Sequence, residues 1–425
     1  MSESAPWLAP FRTDPVDCTV SIPGSKSLTN RALILAAIAE GPSTIVQPLE
    51  SRDTELMASA LQALGVEITR DASGWTIIPA SPEARQPRQV DCGLAGTVMR
   101  FVPPVAALAH ADVTFDGDPR ARARPMAAVI EALRALDVAV SDDGRGSLPF
   151  TVHGQGHVGG GIVRIDASAS SQFVSALLLA GARYDQGIDI IHTGSAIPSQ
   201  PHIDMTVAQL RLRGVEVDDN RPSRWTVSPG PIAAVDVEIE PDLSNAGAFA
   251  AAALVSGGQV TIRNWPTHTD QAGDAWREIV PLFGGTVVRD GSDMIFAAGP
   301  DLRGIDLDMH DVGELAPVTA AIAAFASSPS TLRGIAHLRG HETDRLAALA
   351  TEINTLGGAV TELDDGLSIA PRPLVGGTFH TYDDHRMAHA ALVIGLRTKD
   401  LCVENVATTA KTYPDMPAAW ERLFS

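Results

Sequence analysis

The chain has 425 residues, 45% of them hydrophobic and 20% charged, enough for two or three globular domains with sizeable cores. Its formal charge is −19, which argues against nucleic acid and anionic membrane surfaces as partners, since both need basic patches. An anion bound here must be held by local cations against an acidic background.

The segment Met1–Pro6 has no basic stretch leading into an apolar run, so no signal peptide is expected. Nowhere does an apolar run approach the roughly 20 residues that span a bilayer. A strand-like segment, Cys18–Ile22, comes next and is followed by Pro23-Gly24-Ser25-Lys26-Ser27-Leu28-Thr29-Asn30-Arg31 at the mouth of an apolar helix. A helix start presents unpaired N–H groups and a positive dipole end, and so attracts phosphate or carboxylate. Lys26 adds a point charge and Arg31 a planar fork. Only three of the 32 cationic residues are lysine, Lys26, Lys399 and Lys411, and Lys411 lies in a second polar run, Thr408-Thr409-Ala410-Lys411-Thr412.

From there an internal repeat organises the chain. Six small-residue helices open near Gly24, Ala95, Ser168, Ser244, Gly313 and Asp383, at intervals of 71, 73, 76, 69 and 70 residues. Each is apolar nearly all round, as in Ala320-Ala321-Ile322-Ala323-Ala324-Phe325, so each is expected to be buried within a layered domain. An amphipathic helix ending in Leu-Gly or a near equivalent recurs in step, at Gly65, Asp137, Gly214, Gly284 and Gly357, the expected left-handed stop before a strand. A sixth such helix, Pro417 to Phe424, reaches the chain end without its strand, and Cys18–Ile22 is the segment available to supply it. The spacing predicts six α/β units: an α/β protein of two similar globular domains, each of three repeats. Residues 21–239 form one domain; residues 1–20 with 240–425 form the other.

The buried helices begin with polar residues that an apolar core does not need. They are Lys26, Ser27 and Arg31; Gly96, Thr97 and Arg100; Ser170, Ser171 and Gln172; Ser244 and Asn245; Glu314; and Asp384, His385 and Arg386. Ser244 and Asn245 read as caps. An arginine matches a helix N-terminus poorly, so Arg100 and Arg386 point to a bound anion. If the buried helices of a domain run parallel, their N-termini share a face, and an anion-collecting cleft between domains is expected. Arg124 precedes a helix, His341-Glu342-Thr343-Asp344-Arg345 precedes another, and Ser199–Asp204 reads as a polar turn. Gly154-x-Gly156-x-x-Gly159 lies between two strand-like runs and is therefore not a dinucleotide site. His385 and His389 share a helical face, but without a third ligand no metal is expected. Cys18, Cys92 and Cys402, odd in number and far apart, read as reduced thiols in a cytoplasmic protein.

These segments, in this order, resemble the 5-enolpyruvylshikimate-3-phosphate synthase family of enolpyruvyl transferases. The matching runs are Gly24-Ser25-Lys26-Ser27-x-x-x-Arg31, Ala95-Gly96-Thr97-x-x-Arg100, Gly117-Asp118 with Arg124-Pro125-Met126, Ser170-Ser171-Gln172, Glu342-Thr343-Asp344-Arg345, Asp384-His385-Arg386-Met387 and Lys411-Thr412-x-Pro414. The resemblance implies an inside-out α/β barrel of the enolpyruvyl transferase type in each domain. It implies transfer of the enolpyruvyl group of phosphoenolpyruvate to the 5-hydroxyl of shikimate 3-phosphate by a monomer, with no cofactor. Lys26, Gly96, Arg124, Gln172, Arg345, Arg386 and Lys411 are then expected around phosphoenolpyruvate. Ser27, Arg31, Ser170, Ser171, Ser199, Glu314 and His341 are expected around shikimate 3-phosphate. Glu314 is the candidate base and Glu342 the candidate acid, with Lys26 or His385 assisting. Two phosphates and two carboxylates bring about −5 to −6, against six cations: Lys26, Arg31, Arg124, Arg345, Arg386 and Lys411.

Departures are also present. Familiar members of the family carry Asp at Glu314, Lys at His341, Tyr at His202, Asn at Leu94 and Pro at Phe101. A related reading is a UDP-N-acetylglucosamine enolpyruvyl transferase, which usually carries a reactive cysteine in the loop corresponding to Asp116–Arg120; none occurs there. Another is a non-catalytic anion-binding relative, against which Glu314 and Glu342 together argue.

Overall fold

The computed structural model of the protein describes residues 6–80 and 87–424, so most of the Met1–Pro6 segment lies outside it. One repeat shows how the sequence is laid down. Strand Arg88–Asp91 leads into the buried helix Gly96–Ala106, which returns to Asp112–Asp116, parallel to the first strand. The helix Ala127–Ala135 follows, and then two strands, Ala139–Ser141 and Phe150–His153, that pair antiparallel with each other. Phe150–His153 also pairs antiparallel with Asp112–Asp116 and completes the sheet. Five four-stranded sheets among the described residues repeat this strand order, and a sixth sheet has three strands.

The buried helices run Lys26–Ala37, Gly96–Ala106, Gln172–Gly181, Leu243–Ser256, Ala316–Ala323 and His385–Arg397. Every residue of Leu243–Ser256 is buried. Leu33, Ile34 and Leu35 are consecutive and fully covered, which is possible only where protein surrounds the helix. Each contributes about 1.5–3 kcal/mol through burial. The first three helices pack on one another within one unit, Gly24–Ile239, and the last three within the other, formed by residues up to Pro23 and from Glu240 onward. Each unit has its own hydrophobic core. The left-handed stops take the expected backbone: Gly65, Gly214, Gly284 and Gly357 have φ between +75° and +96°, and Asp137 takes +61° in the same role.

Two expectations are corrected. Cys18–Ile22 does not complete the sixth repeat. Asp17–Val20 instead lies parallel to Gln259–Ile262 and opens the fourth repeat. The sixth sheet is closed by Trp7–Leu8, antiparallel to Leu401–Val403. Reciprocally, Val237–Glu238 lies parallel to Ser43–Val46 and serves the first repeat. Ser199–Asp204 is not a turn throughout: Ser199 has φ +57°, and a helix begins at Pro201 and runs to Leu212. Proline suits a first helical position, where its missing N–H is not needed.

Candidate active site

In the Gly24–Ile239 unit the starts of the three buried helices are joined by side chains. Ser25 caps the first, its hydroxyl accepting from the Leu28 N–H. Lys26 Nζ lies 3.3 Å from Oδ2 of Asp53, which sits in the first turn of the neighbouring Arg52–Ala63 helix and is buried. Asn30 Nδ2 donates to Thr97 Oγ1 at 2.8 Å, tying the first helix to the second. Arg100 Nη1 donates to Gln172 Oε1 at 2.6 Å, tying the second to the third. Arg100 also lies over the Phe173 ring at 5.2 Å. Within the chain, Gln172 and Phe173 give Arg100 partners near that helix start.

Arg124 is buried and donates to the Leu94 carbonyl at 3.2 Å. A Cβ on residue 96 would come within 2.9–3.1 Å of the Arg124 and Arg100 guanidinium nitrogens. Glycine at 96 therefore keeps two cations at a helix start, and alanine would push Arg124 aside. Arg31 is used differently. It is 1% exposed and donates to Thr206 Oγ1 (2.8 Å), the His202 carbonyl (2.8 Å) and the Ser27 carbonyl (3.1 Å), with Ser175 Oγ at 3.4 Å. Phe101, one of the departures, lies 5.2 Å under its guanidinium. Ser170 Oγ accepts from the Gln172 N–H at 3.3 Å, and Ser171 is buried at the start of that helix. Ser168 Oγ donates to the Ser195 carbonyl at 3.2 Å, which ties the loop of Ser170 and Ser171 to the loop that carries Ser199.

The other unit gathers a second set. Lys411 Nζ is 2.5 Å from Glu342 Oε1, and Arg345 Nη2 donates to Glu342 Oε2 at 2.7 Å. Arg345 also reaches Asp384 through Nε (2.8 Å) and Nη2 (3.1 Å). Asp384 caps the His385–Arg397 helix by accepting from the Arg386 N–H at 2.8 Å. Burial opposes the charge of Arg345, but Asp384, Glu342 and Glu314 outweigh it and hold the guanidinium above its ordinary range. Glu314 accepts a hydrogen bond from Ser244 Oγ. His385 Nδ1 stands 3.8 Å from Asp384. Its neighbour His389 is pushed well below the ordinary histidine range by burial, then by Arg386 and Arg345. The ring of His341 lies 6.0 Å from that of His337, whose own value falls to about 4 through burial, His310 and Arg345.

Glu314, Glu342, Arg345, His385, Arg386 and Lys411 are thus collected in one unit, and Lys26, Gly96, Arg124 and Gln172 in the other. Glu342, Asp384 and His385 each offer a ligand-type atom within 4.8 Å of the others. Both carboxylates already accept from Arg345, and Glu342 also from Lys411; those cations would repel a metal ion.

Charge bears on what each unit's set of residues can hold. Glu342, Asp384 and Glu314 balance Arg345, Arg386 and Lys411. Lys26, Arg31, Arg100 and Arg124 are set against Asp53, leaving an excess of positive charge among these residues. That local excess, on a chain of formal charge −19, favours an anionic ligand. Asp53 escaped the sequence reading of the site, which took Ser244 as a cap and noted Asp384 at the start of the sixth buried helix without giving it a role. Asp53 and Asp384 stand at helix starts, where an acid reads as an ordinary cap, and their cation partners are far along the chain.

A family description, EPSP synthase (3-phosphoshikimate 1-carboxyvinyltransferase), matches residues 12–420. The chain belongs to the EPSP synthase family. A 3-phosphoshikimate 1-carboxyvinyltransferase from Kocuria rhizophila is 55% identical over 429 aligned residues, covering 98% of this chain and 96% of that protein. Two solved EPSP synthases from Acinetobacter baumannii share the fold, with TM-scores of 0.79 and 0.78. They are 23% and 22% identical, and the matches cover 98% of this chain and 97% and 98% of theirs. Family membership supports the two-domain α/β reading and enolpyruvyl transfer as the reaction class. Among the described residues no helix is long and apolar enough to cross a membrane.

Proposed function

We propose that the chain transfers the enolpyruvyl group of phosphoenolpyruvate to the 5-hydroxyl of shikimate 3-phosphate. The observation that carries this reading is the buried Lys411–Glu342–Arg345–Asp384 network, with Glu314 close enough to act on Arg345. Two carboxylates and several cations of known position suit an addition–elimination. The 5-hydroxyl oxygen attacks carbon 2 and its proton passes to Glu314. Carbon 3 takes a proton from Glu342, and a tetrahedral adduct forms. Carbon 3 then returns its proton to Glu342, the carbon–oxygen bond to phosphate breaks, and phosphate leaves with the proton that Glu314 took from the hydroxyl, the enol ether remaining in place.

The charge pattern supports the assignment of ligand groups. Lys26, Arg124 and Lys411 meet the phosphate of phosphoenolpyruvate, with Gly96 and Gln172 beside it. Arg345 and Arg386 meet its carboxylate, for which a planar guanidinium fork is suited. Ser27, Arg31, Ser170, Ser171, Ser199, Glu314 and His341 serve shikimate 3-phosphate, Arg31 by bracing the Ser27 carbonyl. In this scheme donor binding has a consequence for Glu342. Ligand anions compete for Lys411 and Arg345, and a carboxylate relieved of two cations holds a proton more readily. Lys26 and His385 assist. The assigned residues come from both units. The reading also places the work in a single copy of the chain, in the cytoplasm, where three free cysteines stay reduced.

The test is phosphate release from phosphoenolpyruvate, with shikimate 3-phosphate and UDP-N-acetylglucosamine offered separately. Release with shikimate 3-phosphate alone is expected. Release only with the nucleotide sugar would overturn the acceptor assignment, and release with neither would favour a binding role. Glu314→Gln is expected to lower turnover about 10²–10⁴-fold, the usual weight of a general base; wild-type turnover would remove Glu314 from that role.

A further inference from the structure

Ser244 and Asn245 open the Leu243–Ser256 helix, and neither side chain caps it. Asp242 does so, accepting from the Asn245 N–H at 3.0 Å. Both residues are nonetheless buried, Ser244 at 7% and Asn245 at 0% exposure, in a helix whose other residues, up to the final Ser256, are apolar. Polar side chains are retained in such a place only when they are hydrogen-bonded, and the partners here lie far along the chain. Ser244 Oγ donates to Oε1 of Glu314. Asn245 Nδ2 donates to the Thr412 carbonyl at 2.9 Å, and Asn245 Oδ1 accepts from Thr412 Oγ1 at 3.1 Å. Thr412 is the residue after Lys411, which holds Glu342.

We propose that Ser244 and Asn245 are positioning residues for the reaction: Ser244 fixes the carboxylate of Glu314, and Asn245 fixes the backbone that carries Lys411. The inference rests on the roles given above to Glu314 and Lys411. One helix turn thereby sets the distance between the proton acceptor and the cation on the opposite carboxylate. The longer side chain of Glu314, where familiar relatives carry Asp, has an extra rotatable bond, and the serine hydroxyl restrains it. A hydroxyl that donates to a carboxylate also favours the ionised form needed in a base. Arg345 and the neighbouring His337, His310 and His341 remain in place in every variant below, so their influence is common to all.

The experiment is the pH profile of kcat, with KM for phosphoenolpyruvate, in the full-length protein. Ser244→Ala is expected to move the acidic limb up by about one pH unit, because losing the donor makes Glu314 harder to ionise, and Ser244→Thr returns it. Ser244→Cys, close in size and a weak donor, takes the place of Ser244→Ala if that variant does not fold. Asn245→Ala is expected to raise KM roughly 10-fold with the acidic limb unmoved, the effect of a displaced ligand cation. An unmoved limb in Ser244→Ala or Ser244→Cys, while Glu314→Gln abolishes it, overturns this inference and leaves the reaction assignment standing. Wild-type turnover in Glu314→Gln overturns the assignment itself.

Discussion

Arg345→Met is expected to lower kcat/KM for phosphoenolpyruvate by about 10²–10³-fold and to destabilise the protein by about 3–5 kcal/mol. Both effects come from one group. Arg345 is 2% exposed and reaches two carboxylates, Asp384 at 2.8 and 3.1 Å and Glu342 at 2.7 Å. Removing one partner of a buried ion pair leaves the other charge uncompensated, and that accounts for the stability loss. The kinetic loss follows from losing a planar fork aimed at a carboxylate. Arg345→Lys should recover part of the stability and little of the activity, because one ammonium cannot reproduce the fork. Urea unfolding, beside steady-state kinetics, measures both effects. A Met variant with a wild-type unfolding curve would show that the two carboxylates do not depend on Arg345.

Lys26→Met separates catalysis from stability. Turnover is expected to fall about 10²–10³-fold, the cost typical of removing a preorganised group that stabilises developing charge. The fold should survive, because the Lys26 side chain is 18% exposed at a helix start. Its partner Asp53 is 4% exposed and would be left without this cation, so a modest loss of stability accompanies the change. In Lys26→Met with Asp53→Asn that loss should be relieved while turnover stays low. Lys26→Arg should also stay low, because a flat fork does not replace a compact ammonium. Recovery of turnover in the double variant would mean that the lysine acts only by neutralising Asp53.

The repeat was legible because burial imposes a local pattern. A nearly all-apolar helix such as Ala316–Ala323, or a left-handed stop such as Gly357, is written within a few residues. Strand partnership is not local in this sense. Cys18–Ile22 looks equally able to pair with any repeat, and only the assembled unit selects Gln259–Ile262. The site divides in the same way. Lys26, Arg386 and Lys411 stood out as cations in unusual places. Asp53 and Ser244 read as ordinary helix-start residues, since a side chain looks the same in sequence whether it meets its own helix or, as Ser244 does, a group 70 residues away. The helix at Pro201 was a different case: the proline signalled a first turn, and the polar residues around it drew the reading toward a loop.

The exchanged strands also bear on how the protein is made. All strands of the Gly24–Ile239 unit lie within one unbroken stretch, so that unit can close as soon as Val237–Glu238 leaves the ribosome. Asp17–Val20 is synthesised before any of it, yet its partner Gln259 lies 242 residues downstream. At about 5–20 residues per second Asp17–Val20 stays unpaired with that partner for roughly 10–50 s. Its four residues alternate exposed and half-buried, and Asp17 stands among them. A short strand carrying a charge is a poor template for other chains during that interval.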